Sequence, residues 1–249
     1  MSSQTNSAHA PLLRRLQSIA ELSDEERDAL RGLKMQVLEI EADQDVVREG
    51  DRPSRCCLIL EGVGCIYKVT ARGKRQISAF QLPGDIPDLL SMHLESLDSS
   101  VGTITRCKVA FMWHTDLRAL CERFPGIANA LWRSTLIDAS IFKEWITNVG
   151  QRDAFSRLAH LLCETVARAR AIGLVEGQSC PFPITQEDLA AATGMTAVHV
   201  NRTLRELRAA GLVELGRSKL TVPDWDKLTE AGEFNPAYLH LKHPEQAAA

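Results

Sequence analysis

The spacing of hydrophobic and polar residues changes twice along the chain. Between residues 12 and 32 apolar residues recur on one side of a helix, and Ser23 is placed to cap its second part. From Lys34 to about residue 113 the pattern becomes short apolar runs separated by glycine-containing turns, for example at residues 72–74 and 83–85. Short strands of this kind predict a small antiparallel barrel or sandwich.

A helical period returns at residues 116–149. After Pro125 the apolar residues spread over more than one face of the predicted helix, so a single neighbour cannot bury them all. The preceding barrel can cover one side, and a helix from a second copy of the chain is the expected cover for the other. The alternative is that the second side packs on the C-terminal domain of the same chain. The expected dimerisation residues are Trp132, Ile137, Ile141 and Trp145.

Residues 185–211 predict two short helices joined by a tight turn at Gly194. Thr185 opens a capping box with Asp188, and Thr196 caps the second helix. One face of that second helix is an apolar stripe, formed by Val200, Leu204 and Leu207. The opposite face carries arginines and one valine.

A helix with one buried apolar face and one exposed face of arginines and a valine fits the major groove of DNA. The alternative is an ordinary amphipathic helical hairpin without a DNA-binding role. Residues 212–222 then predict a tight β-hairpin, or wing, whose basic tip can reach the phosphate backbone. The predicted DNA-contacting residues are Thr185, Gln186, Thr196, Ala197, Val198, His199, Asn201, Arg202, Arg205, Arg217 and Lys219.

Composition and charge refine this picture. The chain has 249 residues, of which 45% are hydrophobic and 24% charged, which is typical of a globular protein. The net charge is −3, and only the segment 150–222 is net positive, with nine basic and seven acidic residues. DNA binding is therefore expected to depend on a local basic face. No apolar run reaches the length of a membrane span and the start lacks a signal-peptide pattern, so we expect no membrane association and a cytoplasmic location.

The sequence gives no indication of catalysis. Residues 34–113 lack the histidine and carboxylate set of a metal-dependent cupin, and no G-x-S-x-G, P-loop or HExxH motif occurs elsewhere. The seven cysteines include no CxxC pair and are expected to be reduced thiols. We therefore expect no enzyme, no catalytic residues and no metal site.

The order of a β-barrel, a long helix, a hinge and a winged helix-turn-helix resembles the cyclic-AMP receptor and fumarate–nitrate regulator (CRP/FNR) superfamily of bacterial transcription factors. The most specific segments are REGD at 48–51, LILEG at 58–62, LPGD at 82–85 and the DNA-binding segment 184–222. The resemblance implies an α+β protein with a jelly-roll β-roll like that of cyclic-nucleotide-binding domains. It also implies a homodimer that binds a near-palindromic promoter site and contacts RNA polymerase.

The expected domains follow from the same resemblance. They are a β-roll sensor domain at 12–113, a dimerisation helix and hinge at 114–150, a winged helix-turn-helix at 151–228 and a C-terminal tail at 229–249. The resemblance also places Arg202 where family members read a guanine, and Val198 where many of them carry a glutamate. Valine there can pack on a thymine methyl instead.

The chain departs from the members that bind cyclic nucleotides. Those members hold the ribose with a glutamate and the cyclic phosphate with an arginine, but residues 76–105 contain no lysine or arginine at all. Nearby carboxylates would repel a buried phosphate. We expect no bound cofactor and no control by cyclic AMP; the cations Lys74, Arg75 and Arg106 only flank the segment, which carries Asp85, Asp88, Glu95 and Asp98.

The identity of the signal stays open. An iron–sulfur cluster of the oxygen-sensing kind needs cysteines near the N-terminus, and the first cysteine here is Cys56. A haem- or redox-responsive regulator is the alternative, and it would use cysteines or histidines of the barrel. The candidates are Cys56, Cys57, Cys65, His93, Cys107 and His114. The favoured interpretation is that they are small core residues on strands and a surface histidine.

Overall fold

The computed structural model describes residues 2–242, with side chains from residue 8 onward. The chain divides into two compact units. The first unit comprises Met1–Lys68 and Ala79–Asp138, and the second comprises Val69–Ser78 and Ala139–Ala249. None of the described helices is long and apolar enough to cross a membrane.

Two helices open the first unit: α1 (Ser2–Gln17) and α2 (Asp24–Arg31). Ser23 caps α2 in a capping box with Glu26, as the sequence predicts. Helix α1 begins ten residues before the predicted start, because its first turns carry small polar residues that show no apolar period.

Seven strands follow, in two antiparallel sheets with orders β1-β7-β3 and β2-β6-β4-β5. The strands are β1 (Gln36–Ile40), β2 (Asp45–Val47), β3 (Arg55–Glu61), β4 (Gly64–Val69), β5 (Arg75–Gln81), β6 (Ser100–Thr103) and β7 (Cys107–Trp113). The predicted antiparallel β-domain is confirmed. The apolar run 56–69 divides at Gly62, whose φ is 91° and whose missing Cβ would lie 2.6 Å from the Arg106 carbonyl oxygen.

The core of the first unit joins its helices to strand β3. Leu12 and Leu16 of α1 and Leu30 of α2 are buried in the same apolar cluster as Leu58 of β3. Gly84 lets the turn before residue 85 approach α1, since a Cβ on it would lie 2.5 Å from the Pro11 carbonyl oxygen. A 3-10 helix, Leu89–Met92, packs in this region.

The remaining helices are α3 (His114–Arg123), α4 (Pro125–Gln151), α5 (Ala154–Ala171), α6 (Gln186–Thr193), α7 (Ala197–Ala209) and α8 (Trp225–Ala231). Within the second unit, α5 is the central element, with Leu158, Leu161, Leu162 and Val166 buried. A sheet of order β8-β10-β9 completes this unit; its strands are β8 (Ser179–Pro181), β9 (Glu214–Gly216) and β10 (Lys219–Thr221). The sequence showed no signal for β8, which is only three residues long.

Candidate nucleic-acid interface

Helices α6 and α7 form the two-helix element that the sequence predicts. The Asp188 backbone N–H donates to Thr185 Oγ1 at 3.1 Å, and the Thr185 N–H donates to Asp188 Oδ2 at 3.2 Å, which closes the capping box. Gly194 ends α6 with a φ of 68°. That left-handed conformation favours glycine, so the turn and its residue type agree.

Helix α7 presents two distinct faces. Thr196 caps it by accepting the His199 N–H at 3.2 Å. Val200, Leu204 and Leu207 are buried, as expected for the packed face. On the other face Val198 is 82% exposed, and the Arg202 side chain is 68% exposed with Glu206 Oε1 at 3.8 Å from its Nε. This helix can therefore offer a cation and an apolar side chain to a groove without disturbing its own core.

The other predicted contact residues lie around this face. Thr185, Thr196 and Arg205 are exposed, and Ala197 and His199 are half-buried. Asn201 Nδ2 donates to Gln186 Oε1 at 3.0 Å, so the structure joins these two side chains to each other.

The wing is a hairpin of β9 and β10 with a two-residue turn, Arg217-Ser218. Strand β10 also pairs with β8, which anchors the hairpin to the unit. Arg217 and Lys219 are both exposed at its tip, as the sequence predicts.

Arg157 of α5 is a positioning residue that the sequence analysis missed. Its guanidinium donates to the carbonyl oxygens of Asn148, Arg152 and Thr193, at 3.1, 2.8 and 2.9 Å. It thereby holds the last residue of α6 against the chain around residue 150. Thr193 lies 36 residues from Arg157, and a contact at that separation leaves no local signal.

The C-terminal segment was predicted as a tail, but as far as Leu239 it packs on α5. Glu164 is buried and accepts the Trp145 indole N–H at 3.0 Å and the Tyr238 hydroxyl at 2.8 Å. Burial raises the pKa of Glu164, although Arg168 beside it works in the opposite direction. His160 contacts the Gly232 carbonyl oxygen at 3.0 Å, and burial lowers its pKa to about 4. Residues 243–249 of the predicted tail lie outside the described part.

In the β-domain, residues 76–105 contain no lysine or arginine, but arginine side chains from other elements approach them. Arg15 of α1 pairs with Asp85 at 2.9 Å, and both side chains are buried. The positive charge near the turn at Asp85 is therefore greater than the sequence of residues 76–105 alone indicates. The three flanking cations lie elsewhere: Arg106 pairs with Glu39 and Glu41 on the surface, Arg75 pairs with Asp188 within the second unit, and Lys74 is exposed.

Asp88 is a fully buried carboxylate that belongs to the same segment. Its Oδ1 accepts the Cys57 backbone N–H at 2.8 Å, while its Oδ2 has no hydrogen-bond partner. Burial raises the pKa of Asp88 to about 7. The two other acids of the segment, Glu95 and Asp98, are exposed.

Among the barrel cysteines and histidines, Cys56 and His114 approach the same side chain, Ser91, and Cys56 Sγ lies 3.7 Å from Ser91 Oγ. Cys56, Cys57, Cys65 and Cys107 are buried, and burial raises the pKa of the Cys56, Cys57 and Cys107 thiols. His114 Nε2 lies 3.0 Å from Ser91 Oγ, and His93 is exposed. Among residues 2–242, no group of three His, Cys, Asp or Glu side chains is arranged to hold a metal ion.

The four residues expected at a dimer interface fall into two groups. Ile137, Ile141 and Trp145 are buried within the single chain, and the Trp145 indole bonds to Glu164. Trp132 is 68% exposed. For Trp145 the structure thus shows the alternative considered above, which is packing on the C-terminal part of the same chain.

Comparison with known proteins agrees with this architecture. The cyclic nucleotide-binding domain family matches residues 37–124, and the Crp-like helix-turn-helix domain family matches residues 156–231. The chain is 24% identical over 194 residues to the transcriptional activator protein FnrL of Cereibacter sphaeroides, covering 76% of this chain and 77% of FnrL. It is 27% identical over 185 residues to the nitrogen fixation regulation protein FixK of Bradyrhizobium diazoefficiens, covering 73% and 75%.

Solved structures show the same fold. FixK2 from Bradyrhizobium japonicum superposes with a TM-score of 0.72 at 22% identity, covering 80% of this chain and 98% of that one. CooA from Carboxydothermus hydrogenoformans superposes with a TM-score of 0.63 at 18% identity, covering 88% and 94%. With both domain families matched in this order and a two-faced recognition helix in the second, the chain belongs to the CRP/FNR superfamily and is a DNA-binding transcription regulator.

Proposed function

We propose that this regulator works in the cytoplasm as a homodimer that binds a near-palindromic promoter site and contacts RNA polymerase, without catalysis of its own. The exposed face of α7 carries the proposal. Arg202 projects from it about 200° around the helix from the buried Val200, at 100° per residue. A guanidinium in that position can bond bidentately to a guanine in the major groove.

Selection of binding sites from random DNA, followed by gel-shift titration, tests this proposal. Arg202→Ala is expected to cost about 1–3 kcal/mol on the selected site and to relax the preference at one G·C pair in each half-site. Lys34→Gln, at an exposed position of the first unit, is the control for loss of one positive charge. Equal weakening on all sequences would mean that Arg202 contacts only phosphate.

The proposed dimer rests on the exposed side of α4. Trp132, Leu136, Ala139, Lys143 and Ile146 are exposed and follow one another at intervals of four and three residues. This is the spacing of a coiled-coil seam, in which a second helix covers the a and d positions. Of the four dimerisation residues expected from the sequence, only Trp132 belongs to this proposed seam. Ile146 is proposed as an interface residue instead of its neighbour Trp145, which is buried. Two recognition helices related by a two-fold axis would then read half-sites about one helical turn apart.

Independence from cyclic AMP is also part of the proposal. Arg15 approaches the segment 76–105, as Arg118 does at the Met92 carbonyl oxygen, but Arg15 is already paired with the buried Asp85. A cyclic phosphate would have to displace that pairing and lie near further carboxylates, which costs free energy. The haem- or redox-responsive alternative gains no support from the barrel thiols, since burial raises their pKa values and disfavours the reactive thiolate.

A further inference from the structure

The short turn between α4 and α5 is joined to the C-terminal segment by an ion pair. Arg152 of this turn donates from Nη2 to Glu144 Oε1 of α4 at 2.7 Å. Its Nε lies 3.5 Å from Glu233 Oε2, an ion pair without hydrogen-bond geometry. The Arg152 side chain is 9% exposed and that of Glu233 is 68% exposed. A pair with one exposed partner adds little to stability, so its consequence is the connection that it makes.

A second set of contacts ties the same segment to α5 and, through α5, to α4. His160 Nδ1 lies 3.0 Å from the Gly232 carbonyl oxygen, and its Nε2 lies 3.2 Å from the Tyr238 hydroxyl. That hydroxyl donates to Glu164 Oε2 at 2.8 Å, and the Trp145 indole of α4 donates to the same oxygen at 3.0 Å. The C-terminal segment therefore reaches α4 by two routes, through this buried carboxylate and through the ion pair at the turn.

Two backbone features make the path of this segment specific. A Cβ on Gly232 would lie 2.7 Å from the His160 backbone nitrogen, so a larger residue there would push the segment away from α5. Glu233 has a φ of 48°, in the left-handed region, at the position after a helix end where glycine is common. A side chain kept at the cost of backbone strain is typical of a functional position.

The segment lies beyond the matched helix-turn-helix domain, which ends at residue 231. It includes a short 3-10 helix, Pro236–Leu239. Phe234 and Leu239 are buried, and the Phe234 ring meets the His160 ring edge to face, with 5.2 Å between centroids. These apolar contacts hold the segment on α5 and thereby hold its polar groups at the turn.

We propose that residues 232–239 position the recognition helix by fixing the angle between the end of α4 and α5, with Glu233 as a positioning residue. Helix α7 packs on α5, so this angle also sets the direction of α7 relative to the end of α4. The inference rests on the proposed dimer, whose seam lies on α4. In that dimer the angle would determine the separation of the two recognition helices, and fixing it in advance reduces the entropy lost when both bind.

Affinities for a full site and for a duplex with one half-site separate positioning from contact. On the full site the second recognition helix binds intramolecularly, so its contribution depends on its prior placement. Gly232→Ala should lower full-site affinity about tenfold and Glu233→Gly about threefold, with half-site affinity unchanged within about twofold. Glycine accepts the left-handed conformation, so the second variant removes the carboxylate without adding strain. Glu230→Gln, at an exposed carboxylate of α8, is the control and should change neither affinity.

Hydrogen exchange at the backbone amides of residues 148–157 reports on the turn without DNA. Both variants should exchange there at least about threefold faster than the wild type, whereas the control should not. Thermal unfolding confirms that each variant is folded. Unchanged exchange, an undiminished full-site affinity, or an equal fall on full site and half-site would overturn the proposal. If the wild type gains nothing from a second half-site, the proposed dimer is wrong, and the exchange result alone decides whether the segment fixes the turn.

Discussion

Val198 is the most exposed apolar side chain of the recognition helix, at the position where the family resemblance implies a glutamate in many members. A valine can pack on the C5 methyl of thymine but cannot accept a hydrogen bond from cytosine or adenine. Its chemistry should therefore be visible in the sequence of the DNA site.

We expect site selection with the wild type to favour T at the pair that faces Val198. Val198→Glu should move the preference to a pair that presents an amino group, and Val198→Ala should weaken the preference for T without replacing it. The measurement is sequencing of sites selected from random DNA. Val37→Glu, at an exposed valine of β1, should leave the selected site unchanged. Recovery of one identical consensus from all variants would contradict a role for Val198.

Asp88 makes the stability of the β-domain depend on pH. Its pKa is about 7 in the folded protein, against an ordinary value of 3.8, so the folded state binds the proton more tightly than the unfolded state. The stabilisation is complete below about pH 4 and is lost as pH rises to about 7. We expect Asp88→Asn, which can still accept the Cys57 N–H, to remove this dependence and to be more stable above pH 7 by a few kcal/mol, at about 1.4 kcal/mol per pKa unit.

Denaturant unfolding at a series of pH values measures this effect as the difference between variant and wild type. Asp98→Asn, at an exposed carboxylate of the same segment, is the matched control and should follow the wild type. A constant difference between Asp88→Asn and wild type from pH 4 to pH 8 would show that Asp88 keeps an ordinary pKa.

Among the elements, helix α4 has the clearest division of faces. Ile137 and Ile141 are buried, whereas Trp132 is 68% and Ile146 is 73% exposed. Burial on one side stabilises the fold, and exposure on the other leaves apolar area for association.

Ile146→Lys should raise the dissociation constant of the proposed dimer at least tenfold, because it replaces an apolar side chain of the coiled-coil seam with a charge. Its thermal unfolding as a monomer should change little. Thr147→Lys, the exposed neighbour just outside the seam, is the control. Sedimentation equilibrium at micromolar concentration measures both. A wild-type protein that is monomeric there and still binds DNA would contradict the proposed dimer.

The C-terminal segment stabilises the second unit through one hydrogen bond in particular. The Tyr238 hydroxyl donates to the buried Glu164, so Tyr238→Phe removes a donor and leaves a buried carboxylate oxygen less satisfied. The expected loss is about 1–3 kcal/mol in the free energy of unfolding. Tyr67→Phe removes an exposed bond to Asp45 and should cost much less. If denaturant unfolding gave the same loss of unfolding free energy for Tyr238→Phe and Tyr67→Phe, the buried hydrogen bond to Glu164 would contribute no more to stability than an exposed one.

The regulator as a whole contains a domain that matches the cyclic nucleotide-binding family. In this protein that domain has a carboxylate-rich segment, and one of its carboxylates, Asp85, forms a buried pair with Arg15. Since this arginine already has a partner, we expect neither cyclic AMP nor cyclic GMP to bind at millimolar concentration or to change DNA affinity. Calorimetric titration and a DNA-binding assay with each nucleotide measure this. Saturable binding with a dissociation constant below about 100 μM, over 5 kcal/mol of affinity, would contradict it.

Features that depend only on neighbouring residues could be predicted from the amino-acid sequence. The capping box of Thr185 and Asp188, the turn at Gly194 and the two faces of α7 follow from side chains within one or two helical turns. The antiparallel strands could also be predicted, because the alternation of apolar and polar residues and the turn residues are local properties of the sequence.

Contacts between distant parts of the chain depend on the tertiary fold and could not be predicted from local patterns. Arg15 pairs with Asp85 seventy residues away, and Tyr238 reaches Glu164 at a separation of 74. The apolar period of α4 could not tell the side that its own chain buries from the side left exposed, because both sides carry large apolar residues. A local pattern records which side chains can be buried, whereas the packing of the chain determines what buries them.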